Sequence, residues 1–227
     1  MRYGILLFDL DGTLLDFDSS EKEALKMIFI KKGYNPDKII LNAYDTVNRS
    51  LWRAYEKGEI SMRTLLDTRF KKTMEQFNID IDGAAWEKEY REYLGKFPFT
   101  IDKAPDVLKN LSVNHRIFAI TNGVGDTQIS RLKLAGIFDY FEDVFISQLI
   151  GAQKPSKAFF DHVKNNIKDF NINSSLVIGD SQVTDILGGN NAGLDTCLFK
   201  SQGKFYDTNI KSTYEINSLE ELYNICD

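Results

Sequence analysis

Four aspartates, a lysine, a threonine and an asparagine stand where their types and spacing could do chemistry. Asp9 and Asp11 bracket Leu10 in DLDGT (9–13). Thr121, Asn122 and Gly123 follow the apolar run IFAI (117–120). Lys154 precedes Pro155 in GAQKP (151–155). Asp180 follows LVI (176–178) and Gly179, with Asp185 five residues further on. Asp9 and Asp11 are two residues apart, so on extended chain they point to the same side. A carboxylate pair whose environments differ can split into an ionised nucleophile and a protonated general acid.

Gathered in one cleft, these groups are strongly unbalanced in charge. Two unit charges 4 Å apart repel by about 4 kcal/mol at an effective dielectric near 20. One ammonium cannot offset four carboxylates; a divalent cation together with Lys154 leaves a single negative charge, which protonation of one carboxylate removes. Oxygen-only ligands and partial hydration favour Mg²⁺. Thr121, Lys154 and the backbone N–H groups around Leu10 and Asn122 would then face the oxygens of a phosphoryl group. Phosphoryl transfer needs mainly positioning and charge neutralisation, which such a set supplies.

The elements that would bring the groups together are readable from apolar periodicity. YGILLFDL (3–10) is dense enough for a strand buried on both faces. RIFAI (116–120), DVFIS (143–147), SLVIGD (175–180), TCLF (196–199) and a weaker TYEI (213–216) continue as strands. Helical stretches lie between them, near 105–112, 126–136, 156–168 and 182–192. Alternating strands and helices predict a doubly wound, Rossmann-like parallel sheet. In such a sheet ligands bind at the carboxyl ends of the strands, where the groups named above stand. The first strand lacks a crossover helix, because residues 16–96 read as helices with apolar residues three or four apart. Ser19 or Ser20 is expected to cap the first of these, with Glu23 completing a capping box, and Gly33 and Gly58 are expected C-terminal stops. The α/β core is therefore expected over 1–15 and 97–227, with an all-helical cap inserted at 16–96.

DLDGT, TNG (121–123), KP (154–155) and GDSQVTD (179–185) resemble, in order and interval, the four motifs of the haloacid-dehalogenase-like hydrolase superfamily. The insertion resembles that family's helical cap placed after the first motif. The stretches 14–25 and 121–163 resemble, more narrowly, the bacterial pyrimidine 5'-nucleotidase subgroup. The resemblance implies an aspartyl-phosphate mechanism: Asp9 as nucleophile, Asp11 as the acid and then the base, Thr121, Asn122 and Lys154 on the phosphate. It implies Mg²⁺ held by the Asp9 carboxylate, the Asp11 carbonyl oxygen and the Asp180 carboxylate, with Asp185 behind them. Dehalogenases proper lack the second aspartate, so Asp11 points to a phosphatase. The expected activity is hydrolysis of small phosphomonoesters, nucleoside monophosphates first, with the cap closing over the cleft to exclude bulk water. A sugar-phosphate phosphatase or phosphomutase of the same fold, and a non-catalytic phosphate-binding module, are the alternatives.

Composition narrows the remaining classes. The 227 residues carry 28 basic and 33 acidic side chains, a balance that speaks against nucleic-acid binding, which needs a basic face. No apolar run approaches the ~20 residues of a membrane span, and the first residues lack the apolar stretch of a secretion signal. Cys197 and Cys226 form no CxxC and suggest neither zinc nor a disulfide, so a reducing cytoplasm is expected. A monomer and a homodimer are equally compatible with the chain. Other features read as structural: GGNNAG (188–193) as close packing with a C-cap at Gly193, His115 and His162 as framework, and Trp52, Tyr55, Trp86 and Tyr90 as cap core. Arg49, Arg53, Arg63 and Arg69 are expected on a solvated face. Phe17 and Asp18 are candidates for touching the leaving group.

Overall fold

The computed structural model describes residues 2–200 and 206–226. In chain order the first strand is β1 (Ile5–Phe8). Four helices follow: α1 (Phe17–Lys31), α2 (Lys38–Glu56), α3 (Met62–Glu75) and α4 (Gly83–Leu94). Next come α5 (Ala104–Leu111), β2 (Arg116–Thr121), α6 (Gly125–Leu134), β3 (Asp143–Ile146), α7 (Ser147–Ile150) and α8 (Lys157–Asn166). The chain ends with β4 (Ser175–Gly179), a π-helical turn (Gln182–Leu187), α9 (Gly188–Asn191), β5 (Asp195–Phe199), β6 (Tyr214–Ile216) and α10 (Leu222–Cys226). Two compact units result, one of residues 1–17 with 98–227 and one of residues 18–97.

The first unit holds a six-stranded sheet in the order β3-β2-β1-β4-β5-β6, every neighbouring pair parallel. Each strand found lies within or beside its apolar run, including the weak one at 214–216. The run at 3–10 shortens to 5–8 because the chain leaves the ladder at Asp9. Alternation within single strands explains the double burial. Leu6, Phe8, Ile117, Ala119, Leu176 and Ile178 enter one apolar cluster. Ile5, Leu7, Phe118, Ile120 and Val177 enter the other. Strands covered on both faces must be apolar throughout, as these are. β1 pairs with β2 on one side and β4 on the other, with Phe8 level with Ala119 and Ile178. The residues that follow β1, β2 and β4 are therefore brought side by side at one end of the sheet, where the strand order reverses.

GGNNAG packs closely, as its composition suggests. A Cβ on Gly188 would meet Phe160 and Pro155, one on Gly189 would meet Thr196, and Gly193 ends the segment with φ +78°. His115 is buried with Nδ1 2.7 Å from the Tyr3 carbonyl oxygen. Cys197 and Cys226 are both buried free thiols.

The second unit is the four-helix insertion. Asp37, Ser61 and Asp82 cap α2, α3 and α4 with their side chains. The first helix departs from the expected start: it begins at Phe17, so Ser19 and Ser20 both lie inside it and neither caps it; Ser20 is buried and its hydroxyl donates to the Phe97 carbonyl. An internal serine can be tolerated when its hydroxyl is bonded in this way. Gly33 and Gly58 do take positive φ after α1 and α2. Phe29, Tyr44, Phe70, Trp86 and Tyr90 form the aromatic core, with ring centroids 5.0 Å apart for Tyr44–Phe70 and 5.3 Å for Phe70–Tyr90. Trp52 packs edge-on against Tyr55 at 5.8 Å.

Arg69 overturns the expectation of a solvated face. It is buried, and its Nε and Nη2 donate to the two Glu87 oxygens at 2.6 and 2.7 Å. Nη1 donates to Asn48 Oδ1 at 3.1 Å, and the guanidinium lies 4.8 Å from the Tyr90 ring centroid. The fork of a guanidinium matches a carboxylate two-to-two, which is what allows such a pair to leave water. Arg49, Arg53 and Arg63 are exposed. No helix among the described residues is long and apolar enough to cross a membrane.

Candidate active site

Asp9 is the first residue beyond β1, and its backbone N–H continues the ladder to the Ile178 carbonyl at 2.8 Å. The chain then turns: Gly12 N–H donates to the Leu15 carbonyl, and the Leu14 and Leu15 amides both reach the Leu10 carbonyl. Gly12 sits at φ +87°, and a Cβ there would lie 2.6 Å from Asp180 Oδ2. The turn thus needs glycine twice, for its backbone angle and for the approach of the Asp180 carboxylate.

Lys154 is the hub. It is 1% exposed, and its Nζ donates to Asp9 Oδ1 at 2.7 Å, Asp185 Oδ1 at 2.6 Å and the Ile120 carbonyl at 2.9 Å. All three ammonium protons are so assigned. Burial alone would push the Lys154 ammonium down, yet Asp185 and Asp9 outweigh it and hold the group above its ordinary range. Asp9 is raised as well, because for this carboxyl burial outweighs the lysine. Burial pushes its carboxyl up to about 7, with Lys154 pulling down and Asp185 and Asp11 adding to the rise. Burial also raises Asp185, against Lys154 and with Asp180. Thr13 donates its hydroxyl to Asp9 Oδ2 at 3.1 Å, so both Asp9 oxygens are oriented.

Asp185 lies in the π-helical turn after β4. Its Oδ2 accepts from the Ser181 backbone N–H at 3.1 Å, and Ser181 accepts from the Thr184 N–H. One carboxylate oxygen each from Asp9, Asp180 and Asp185 can be chosen so that all lie within 4.8 Å of one another. This donor set is oxygen only, partly solvated at Asp180 and buried at Asp9 and Asp185. It therefore fits a small hard divalent cation such as Mg²⁺.

On the other side, Thr121 ends β2. Its Oγ1 accepts from the Gly123 N–H at 2.9 Å and from Gln128 Nε2 at 3.1 Å. A hydroxyl has two lone pairs and one proton, so with both lone pairs engaged Thr121 is left to act as a donor. Asn122 exchanges two hydrogen bonds with the Lys154 backbone: Nδ2 to the carbonyl at 2.9 Å, and the Lys154 N–H to Oδ1 at 2.9 Å. The Asn122 side chain thus fixes the lysine's backbone. Asp11 is held by α6, with Arg131 Nη1 at 2.5 Å from Oδ1 and Gln128 Nε2 at 2.7 Å from Oδ2.

Asp9, Asp11, Thr121, Asn122, Lys154, Asp180 and Asp185 are thereby linked in one end of one unit. Thr13, Gln128, Arg131 and Ser181 are additions that sequence reasoning missed. Their signal was faint: Gln128 and Arg131 stand three apart on α6, on the stripe that also carries buried Leu132. Phe17 lies with its ring centroid 5.6 Å from the Arg131 guanidinium. Asp18 is exposed at the start of the helical unit.

Comparison with known proteins agrees with this geometry. Residues 3–193 match the haloacid dehalogenase-like hydrolase family. HAD-hydrolase YfnB of Bacillus subtilis is 40% identical over 224 residues, 99% of this chain and 95% of that protein. Its magnesium-bound crystal structure superimposes with a TM-score of 0.94, covering 100% of this chain and 99% of that one. Pyrimidine 5'-nucleotidase PynA of Streptococcus pneumoniae is 36% identical over 228 residues, 100% of this chain and 96% of that protein. Pyrimidine 5'-nucleotidase YjjG of Escherichia coli is 30% identical over 222 residues, 98% and 97% of the two chains.

Proposed function

The chain belongs to the haloacid dehalogenase-like hydrolase family, and from that premise we propose that it is a Mg²⁺-dependent phosphatase acting through Asp9, with pyrimidine nucleoside monophosphates as substrates. The observation that carries the reading is the Lys154 clamp: a buried ammonium fixes the Asp9 and Asp185 carboxylates 2.7 and 2.6 Å from its nitrogen. A binding module has no need to orient a buried carboxylate oxygen as a nucleophile, whereas phosphoryl transfer does.

In the proposed reaction an Asp9 oxygen forms a bond to phosphorus while the bond to the ester oxygen breaks. The Asp11 carboxyl gives its proton to the departing oxygen. The same Asp11 carboxylate then takes a proton from water as the water oxygen bonds to phosphorus and the Asp9–phosphorus bond breaks. Inorganic phosphate leaves and Asp9 is regenerated. Thr121 donates to a phosphoryl oxygen, and the Lys154 ammonium offsets charge at the nucleophile. The Asp9 and Asp180 carboxylates and the Asp11 carbonyl oxygen would hold the cation, with Asp185 steadied by Lys154 and Ser181. When bound, Mg²⁺ supplies neutralisation of the phosphoryl charge as it develops.

The substrate assignment draws on the full-length likeness to PynA and YjjG. A panel of nucleoside monophosphates and sugar phosphates, assayed with Mg²⁺ for phosphate release, tests it. Pyrimidine nucleotides are expected to turn over fastest. Sugar phosphates running ahead of every nucleotide would overturn the assignment, and interconversion of sugar phosphates without phosphate release would indicate a mutase.

A further inference from the structure

Helix α6 turns charged and polar side chains inward. Gln128 is 2% exposed and Arg131 is 0% exposed, the bulkiest fully buried side chain among the described residues. Taking a guanidinium out of water costs several kcal/mol unless its partners are well placed. Here the partners converge on Asp11. Arg131 Nη1 meets Asp11 Oδ1 at 2.5 Å and also donates to Gln128 Oε1 at 3.1 Å. That contact fixes which end of the Gln128 amide faces Arg131. Nε2 is then turned the other way, with one bond to Asp11 Oδ2 at 2.7 Å and one to Thr121 Oγ1 at 3.1 Å. Space for the amide comes from Gly123, where a Cβ would lie 2.5 Å from Gln128 Nε2.

We propose that Gln128 and Arg131 are positioning residues that lock the Asp11 carboxylate and the Thr121 hydroxyl into one rigid unit. The proposal rests on the phosphatase reading above. Neither residue need touch substrate. Arg131 and Gln128 each engage a different oxygen of Asp11, so the lone pairs left over, where a proton is taken up and given, point in fixed directions. Through one nitrogen Gln128 bonds both Asp11 and Thr121, the proton donor and the hydroxyl that faces the phosphate.

The test uses leaving groups of different basicity. An alkyl phosphate expels a strongly basic alkoxide and depends on proton donation, whereas p-nitrophenyl phosphate expels a weakly basic phenolate and depends on it little. For Arg131→Met and Gln128→Leu, kcat/KM for the best alkyl phosphate is expected to fall by on the order of tenfold to a hundredfold more than for p-nitrophenyl phosphate. Arg131→Lys is expected to restore part of the loss. A misfolded fraction lowers both substrates equally, so the ratio reports only on molecules that fold. An unchanged ratio in both variants overturns the proposal. A wild-type chain without phosphatase activity, or activity that survives Asp9→Asn, overturns the phosphatase reading and this assignment with it. An active wild type, an inert Asp9→Asn and an unmoved ratio overturn the assignment alone.

Discussion

The Nζ of Lys154 lies 2.7 Å from Asp9 Oδ1, and both side chains are buried. The same nitrogen is 2.6 Å from Asp185 Oδ1. Lys154→Met would strand two carboxylates away from water. Breaking a buried pair in this way costs about 3–5 kcal/mol, and urea unfolding at neutral pH checks it. The deficit is expected to shrink as pH falls, because the stranded carboxyls then take up protons. Equal stability of the two proteins at neutral pH would show that Lys154 does not clamp the pair.

Gly12 permits the approach of Asp180. Gly12→Ala places a methyl where the Asp180 carboxylate lies and asks alanine to adopt φ +87°. The expected outcome is weaker Mg²⁺ binding, the half-saturating concentration for activity rising by about tenfold, as for loss of an outer partner of a metal ligand. Titration of activity with Mg²⁺ measures it, and an unchanged curve contradicts it.

In the helical unit, Arg69 and Glu87 form a bidentate buried pair. Glu87→Gln is expected to destabilise by about 3–5 kcal/mol, while replacing both partners with apolar residues of similar size costs far less. A double-mutant cycle by denaturant unfolding separates the two effects.

Glu21 makes the stability of the helical unit depend on pH. Burial pushes its carboxyl up to about 7, against the pull of Arg69 and of a hydrogen bond from Tyr90. Between its ordinary value of 4.5 and about 7, the folded state holds the proton more tightly than the unfolded state. Glu21 therefore contributes stability below that window, and the contribution is lost as pH rises through it. Glu21→Gln is expected to gain on the wild type as pH rises from 5 to 8, read as the difference in Tm.

The strand-end residues were legible in the sequence because an apolar run that stops at a polar residue marks both the strand and its end. Asp9, Thr121 and Asp180 each follow such a run, and the parallel order then brings them together. The inward face of α6 was not legible: Gln128 and Arg131 look like ordinary surface residues until Asp11 is known to lie 117 and 120 positions away in sequence but in contact. Arg69 resembles a surface residue for the same reason, since its partner Glu87 stands 18 residues on, in a different helix. Ser19 and Ser20 have the residue type of a cap, but α1 already begins at Phe17, so both stand in its first turn.

In the proposed reaction Asp9 attacks phosphorus with a divalent cation in place. Phosphate release from p-nitrophenyl phosphate and from a pyrimidine nucleoside monophosphate, measured for the wild type with Mg²⁺, the wild type with EDTA and Asp9→Asn with Mg²⁺, tests it most directly. Release by the first alone is the predicted result. Release that persists in EDTA and in Asp9→Asn would contradict the account.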